Sequence, residues 1–221
     1  MYWENGNQVN KMESLERLQW RYAAKAMRGE KVPQDKMDRV IEAARRAETS
    51  SGLQVFEIYG VTNQEVKEKI KHVAWNQSTV TDCSHLLVFA AWDTYSEDRI
   101  NSMFDLTNEI RGFKNEGWVN YRQQFISSYP QIGGEENFNH AAKQAYIAFT
   151  HPLTAAAFEE VDTTLMESFD TDTVDEILGL REKGRRSTVL LPIGYRKPTE
   201  DWLVNLDKVR KSTKKLVAVA A

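Results

Sequence analysis

From Leu86 to Trp92 the chain runs seven apolar residues in a row, with polar His85 before them and Asp93 after. The run is far too short to span a bilayer, which takes about 20 residues. It has the length of a strand, and a strand with one face in water would alternate apolar and polar positions. The run therefore predicts a strand buried on both faces, with further layers packed against it. A second long apolar stretch, Glu135 to Phe158, has helical length and carries Ala141, Ala142, Ala145, Ala148, Ala155, Ala156 and Ala157. Small side chains let helices approach closely, so this helix is expected at the centre of the molecule. Pro152 inside it is expected to kink or break it.

Other elements follow from periodicity and capping residues. Leu15, Leu18, Tyr22 and Met27 predict a helix over Glu13 to Met27, and Met37, Val40, Ile41 and Ala44 a helix over Gln34 to Ala47. Thr49-Ser50-Ser51-Gly52 reads as a turn, followed by a strand from Val55 to Val61. Thr62 and Glu65 have capping-box spacing ahead of a helix through Val66, Ile70 and Val73. Ser96 to Arg111 reads as helix, while residues 112 to 134, polar and with four glycines, read as irregular. Thr173 and Glu176 are read as the cap of a short helix, Thr188 to Gly194 as a strand, and the tail from Lys214 to Ala221 as weakly strand-like. Helices interspersed with few strands predict an α+β or α/β layered fold. Residues 1–12 read as a polar lead-in to a single domain over 13–221.

Composition narrows the function. The 221 residues are 41% hydrophobic and carry 29 basic against 32 acidic side chains, a net charge of −3. Nucleic-acid partners usually demand a strongly basic face, so none is expected. No membrane span and no secretory signal are visible. One cysteine, Cys83, excludes an intrachain disulfide and points to a reducing, cytoplasmic setting. His72, His85, His140 and His151 lack metal-ligand spacing, and no G-x-S-x-G elbow, P-loop or G-x-G-x-x-G occurs. A phosphate would have to be held by side chains. Arg21 and Lys25, four apart, would share one helix face. Lys208 and Arg210, two apart, would share a face of an extended segment. Such cations could clamp a phosphate dianion, but charge pairs at these spacings are common and on pattern alone read first as solvated surface charges.

Longer strings carry a family resemblance. Leu18-Gln-Trp-Arg-Tyr-Ala-Ala-Lys25, Thr49-Ser-Ser-Gly-Leu-Gln54, Trp75-Asn-Gln77, Asp82-Cys-Ser-His-Leu-Leu-Val-Phe89, Ala142-Lys-Gln-Ala-Tyr-Ile-Ala148, Met166-Glu-Ser-Phe-Asp170 and Lys208-Val-Arg-Lys211 resemble, in order and spacing, segments of the FMN-dependent NAD(P)H nitroreductases. The resemblance implies a three-layer α/β/α sandwich with a mixed, mainly antiparallel sheet. It also implies an intertwined homodimer with two FMN sites at the interface, the tail 211–221 embracing the partner subunit.

Carried over residue by residue, the resemblance implies that Arg21, Lys208 and Arg210 bind the phosphate. Lys25 and Asn76 would meet the pyrimidine edge of the flavin, with Tyr22, Ala23 and Gln144 also near the cofactor. The backbone of Leu165, Met166, Glu167 and Ser168 would lie along the ring, the amides of Glu167 and Ser168 facing flavin N5. Thr49, Ser50 and Ser51 would come from the partner subunit, and Phe125 would lid the substrate pocket. The implied chemistry is ping-pong. NAD(P)H delivers a hydride to N5 and leaves, and a nitroaromatic, quinone or similar acceptor follows, with no dedicated acid or base.

The sequence departs from the family around the ring. Glu48, Val55 and Leu165 stand where proline is usual, Ser168 where glycine is usual, and Met27-Arg28 where an aromatic-Asp pair is usual. Those departures leave open a second reading, a non-catalytic dimer of the same fold that binds flavin weakly or takes another ligand.

Overall fold

A computed structural model of the protein describes residues 13–219; the expected lead-in, 1–12, lies outside the described residues. The apolar run is strand β2 (His85–Trp92), flanked by β1 (Phe56–Val61) and β4 (Arg185–Gly194), with β3 (Asp162–Thr163) beyond β4. All three strand pairings are antiparallel. The helices are α1 (Glu13–Trp20), α2 (Gln34–Arg45), α3 (Gln64–Val73), α4 (Thr79–Asp82), α5 (Glu97–Arg111), α6 (Glu116–Ser128), α7 (Gly134–Phe158), α8 (Thr171–Leu178) and α9 (Thr213–Leu216).

Burial on both faces of β2 follows from the two-residue period of a strand. Leu86 and Val88 pack with Ile70 of α3, Val174 of α8 and Leu190 of β4. Leu87 and Phe89 point the other way, with Val40 of α2 and Phe149 of α7. The Phe89 and Phe149 rings meet edge to face, centroids 5.3 Å apart. Between Phe89 and Ala90 the β2–β4 register slips by one residue. The extra residue, Thr188, satisfies its hydroxyl by donating to the Phe89 carbonyl at 3.0 Å. Among the described residues no helix is long and apolar enough to cross a membrane.

Several expectations fail locally, each for a tertiary reason. The first helix ends at Trp20, seven residues before Met27, because the segment after it pairs with the sheet. Ala23 bridges Thr163, and the Thr164 hydroxyl donates to the Ala24 carbonyl at 2.5 Å. Arg21 and Lys25 therefore do not lie on a helix face. Pro152 does not break α7, which is continuous from Gly134 to Phe158. The proline removes one backbone donor, and burial of Ala145, Ala148, Phe149, Ala156 and Ala157 outweighs the few kcal/mol this costs.

Residues 112 to 134 are mostly helical. The Asn115 side chain caps α6 by accepting from the Trp118 amide, and Trp118, Tyr121 and Phe125 recur at helical spacing against Phe104. The caps of α3 and α8 are Asn63 and Asp170, which accept from the Val66 and Thr173 amides, in place of the Thr62–Glu65 and Thr173–Glu176 pairs. The tail forms the single turn α9 and pairs with no strand among the described residues.

Candidate functional site

The end of α1, the segment 21–23 and the stretch 203–210 enclose a cavity of about 470 Å³. Four cations line it: Arg21, Arg196, Lys208 and Arg210. The first, third and fourth were expected together, and the fold brings them together from opposite ends of the chain. Arg196 was not anticipated; it stands two residues past the end of β4, and no spacing ties it to the others.

The Lys208 ammonium donates to the carbonyls of Leu18 (2.6 Å) and Gln19 (2.8 Å) and to that of Arg21. It thus closes the C-terminus of α1, where unpaired carbonyls concentrate negative potential. Burial, and after it Arg21, Arg210 and Arg196, holds the Lys208 ammonium below its ordinary pKa. Arg21 is lowered by burial first and by Arg210 second, with Asp162 opposing. Its Nε is buried and has no hydrogen-bond partner among the described residues. Arg210 is exposed, and among the described residues its Nη1 donates only to the Val209 carbonyl, at 2.7 Å. Gathered cations, of which Arg21 and Lys208 are held down by burial and then by their neighbours, are a standing cost that an anion would relieve.

Lys25 and Tyr22 are fixed by a residue that sequence reasoning also missed. Asp201, 3% exposed, accepts from the Tyr22 hydroxyl at 2.8 Å and the Lys25 amide at 2.9 Å through Oδ2, and from the Leu203 amide at 3.0 Å through Oδ1. One buried carboxylate thereby ties the segment carrying Lys25 to the stretch carrying Lys208 and Arg210. The Lys25 ammonium has no partner among the described residues.

Asn76 is exposed in a turn where both it (φ 54°) and Trp75 (φ 55°) are left-handed. Asparagine tolerates that conformation, while an indole held there is strained. Met166 pairs with Leu190 in both directions, at 3.1 and 3.0 Å, so Leu165 and Glu167 on either side of it are exposed. The amides of Glu167 and Ser168 have no partner among the described residues. The Glu167 carboxylate is drawn back toward α7 by the Tyr146 hydroxyl at 2.6 Å. Ser168 has an ordinary negative φ, so its Cβ brings no left-handed strain.

Gln144, Thr49, Ser50, Ser51 and Phe125 stand apart from the cations. Gln144 is buried and its Oε1 accepts from the Ser50 amide at 2.7 Å; together with Thr49 and Ser51 they make a separate group that does not line the cavity. Glu48, beside that group, faces His151 Nε2 at 3.2 Å. Phe125 is buried in the aromatic cluster of α5 and α6, with Tyr121 at 4.2 Å and Tyr129 at 5.3 Å between centroids. That packing corrects its expected place on an irregular stretch. Cys83 is buried, and burial pushes its thiol up to about 11, so it keeps its proton.

A layered α+β fold that gathers side-chain cations around one cavity, with no glycine-rich phosphate loop, defines a class of protein. The chain belongs to the nitroreductase family, whose model matches residues 18–195. It is 26% identical over 213 residues to the major NAD(P)H-flavin oxidoreductase of Aliivibrio fischeri, covering 91% of this chain and 96% of that one. Two solved structures share the fold. One is a provisionally named nitroreductase, ydfN, from Bacillus subtilis (TM-score 0.82, 20% identity, 94% of this chain and 99% of that one). The other is a provisionally named nitroreductase in complex with FMN from Exiguobacterium sibiricum (TM-score 0.77, 16% identity, 93% and 96%).

Proposed function

We propose that the protein is an FMN-dependent oxidoreductase that draws electrons from NAD(P)H and works as a homodimer. The observation that carries the reading is the cavity lined by Arg21, Arg196, Lys208 and Arg210. These residues fit a phosphate-bearing cofactor: the charge sign is right and the volume falls in the roughly 300–1,000 Å³ of small-molecule sites. The name of the Aliivibrio relative and the FMN in the Exiguobacterium structure support the choice of cofactor.

Bound flavin would supply a two-electron carrier between NAD(P)H and an oxidised acceptor such as a nitroaromatic or quinone. The chain's own residues would bind and orient. Arg21 and Arg210 hold the phosphate. The Lys25 ammonium, without a partner among the described residues, lies on the segment that Asp201 anchors, where a cation would stabilise negative charge on a reduced ring. The unpaired amides of Glu167 and Ser168 are donors available to a ring nitrogen. No side chain is assigned as acid or base, so orientation carries catalysis.

The dimer reading rests on the tail. Val209 (87% exposed), Leu216 (72%) and Val219 (91%) are left largely bare by the described residues and suit an arm laid over a second copy. Thr49, Ser50 and Ser51 would then reach the partner's cofactor. With a lone buried thiol, the expected setting is cytoplasmic.

The test is direct. Purified protein should be yellow, and NAD(P)H should bleach it without oxygen. Arg210→Ala should weaken FMN binding at least about tenfold while leaving the melting temperature of the flavin-free protein unchanged, since its side chain is exposed. A colourless protein that stays colourless with added FMN overturns the reading.

A further inference from the structure

We propose that Arg196, with Arg21 and Arg210, is a direct anion ligand in this cavity and a determinant of the choice of a phosphorylated flavin over riboflavin; the proposal rests on the FMN reading above. Its side chain is built into the site. Asp162, itself 4% exposed, accepts from the Arg196 amide through Oδ2 and from Nε through Oδ1, each at 2.8 Å. The guanidinium carbon lies 4.3 Å from the Trp20 ring centroid and 4.5 Å from that of Tyr22. Trp20 and Tyr22, two apart just where α1 gives way, thus hold one planar cation between two aromatic faces. Arg196 is four-fifths buried, so this geometry is fixed before any ligand arrives.

The donor count gives Arg196 its task. An ammonium has three N–H donors, and those of Lys208 are directed at three carbonyls at the end of α1. Lys208 therefore contributes charge and shapes the cavity wall, but has no donor left for a phosphate oxygen. Arg21 lines the cavity and its Nη groups have no partner among the described residues, and Arg210 offers its exposed guanidinium. Asp162 occupies the Nε edge of Arg196, while Nη1 has no partner among the described residues and the side chain lines the cavity. Three arginines, each with a free donor, match the three terminal oxygens of a phosphate monoester. The residue that reads as the third phosphate cation by position is thus a positioning residue, and Arg196 takes its place as a direct donor.

The experiment measures the affinities of flavin-free wild type, Arg196→Met and Arg196→Lys for FMN and for riboflavin by quenching of flavin fluorescence. Riboflavin has the same ring and ribityl chain without the phosphate, so the ratio of the two affinities isolates the anion contacts. Wild type should prefer FMN. Arg196→Met should lose about ten- to a hundredfold of FMN affinity and keep its riboflavin affinity. Arg196→Lys, with charge but no fork, should recover only part of the ratio. If FMN and riboflavin weaken equally in these variants, or neither weakens, Arg196 is structural and the proposal falls. If wild type itself binds both flavins equally, the phosphate reading of the cavity falls with it. Should Arg196→Met fail to fold, Arg196→Lys decides alone, and an unchanged ratio there overturns the assignment.

Discussion

Replacing Asp201 by alanine should destabilise the protein by about 2–5 kcal/mol. The magnitude comes from what the carboxylate satisfies. It is 3% exposed and accepts from the Tyr22 hydroxyl and from the amides of Lys25 and Leu203, at 2.8, 2.9 and 3.0 Å. Leaving a buried donor unmatched costs about 1–3 kcal/mol each. The half-buried Tyr22 hydroxyl can turn toward water, so most of the loss comes from the two amides. Against a typical total stability of about 5–15 kcal/mol, this is a large fraction. Urea denaturation followed by tryptophan fluorescence should show a lower midpoint with an unchanged slope, since the surface exposed on unfolding is the same. FMN affinity should fall as well, because Asp201 ties the Lys25 segment to the arm bearing Lys208 and Arg210. A stability loss below about 1 kcal/mol would refute the account of Asp201 as the shared anchor of the two segments.

Other expectations follow from the same packing and electrostatics. Phe104, 1% exposed and 4.6 Å from the Trp118 ring, should cost about 3–5 kcal/mol when changed to alanine, read in the same urea titration; a loss under about 1.5 kcal/mol would show that α6 packs loosely on α5. Tyr146→Phe removes the hydroxyl that holds Glu167 and should cost about 0.5–1.5 kcal/mol, with a lower melting temperature as the readout and no change as the contrary result. Burial first, and then neighbouring lysines, holds His85 and His140 below their ordinary 6.5, so the unfolded chain binds more protons just under that pH. Their contribution to stability is complete above pH 6.5 and is lost as pH falls through the folded-state values. Melting temperature should therefore drop from pH 7 to pH 5, less steeply in His140→Gln; a rise would contradict the sign.

Patterns within one element were legible from the residues alone. Seven apolar positions in a row can be satisfied only by cover on two sides, and β2 has it, Leu86 and Val88 facing one layer and Leu87 and Phe89 the other. The alanine stripe of α7 was readable for the same reason, since periodicity is a local property. Capping was less legible because several residues near a helix start can each accept an amide. Asn63 and Asp170 win over Thr62 and Thr173 by one to three positions, a choice set by where the chain enters the helix. The helix over α6 was hidden by Gly112, Gly117, Gly133 and Gly134, while the aromatic spacing that builds it makes sense only against Phe104 from α5.

The site divides along the same line. Arg21, Lys208 and Arg210 could be nominated from the sequence because charge is written in the residue type and their strings resemble a family with a known order. That family assignment needs no coordinates. Which cations keep a free donor was decided only by the tertiary structure. Sequence gives Lys208 and Arg196 the same formal charge, yet one ammonium spends its donors on the end of α1, and one guanidinium is fixed by Asp162 between Trp20 and Tyr22. A hydrogen-bond donor can be counted from the sequence, but its partner comes from whichever backbone the fold brings within about 3 Å.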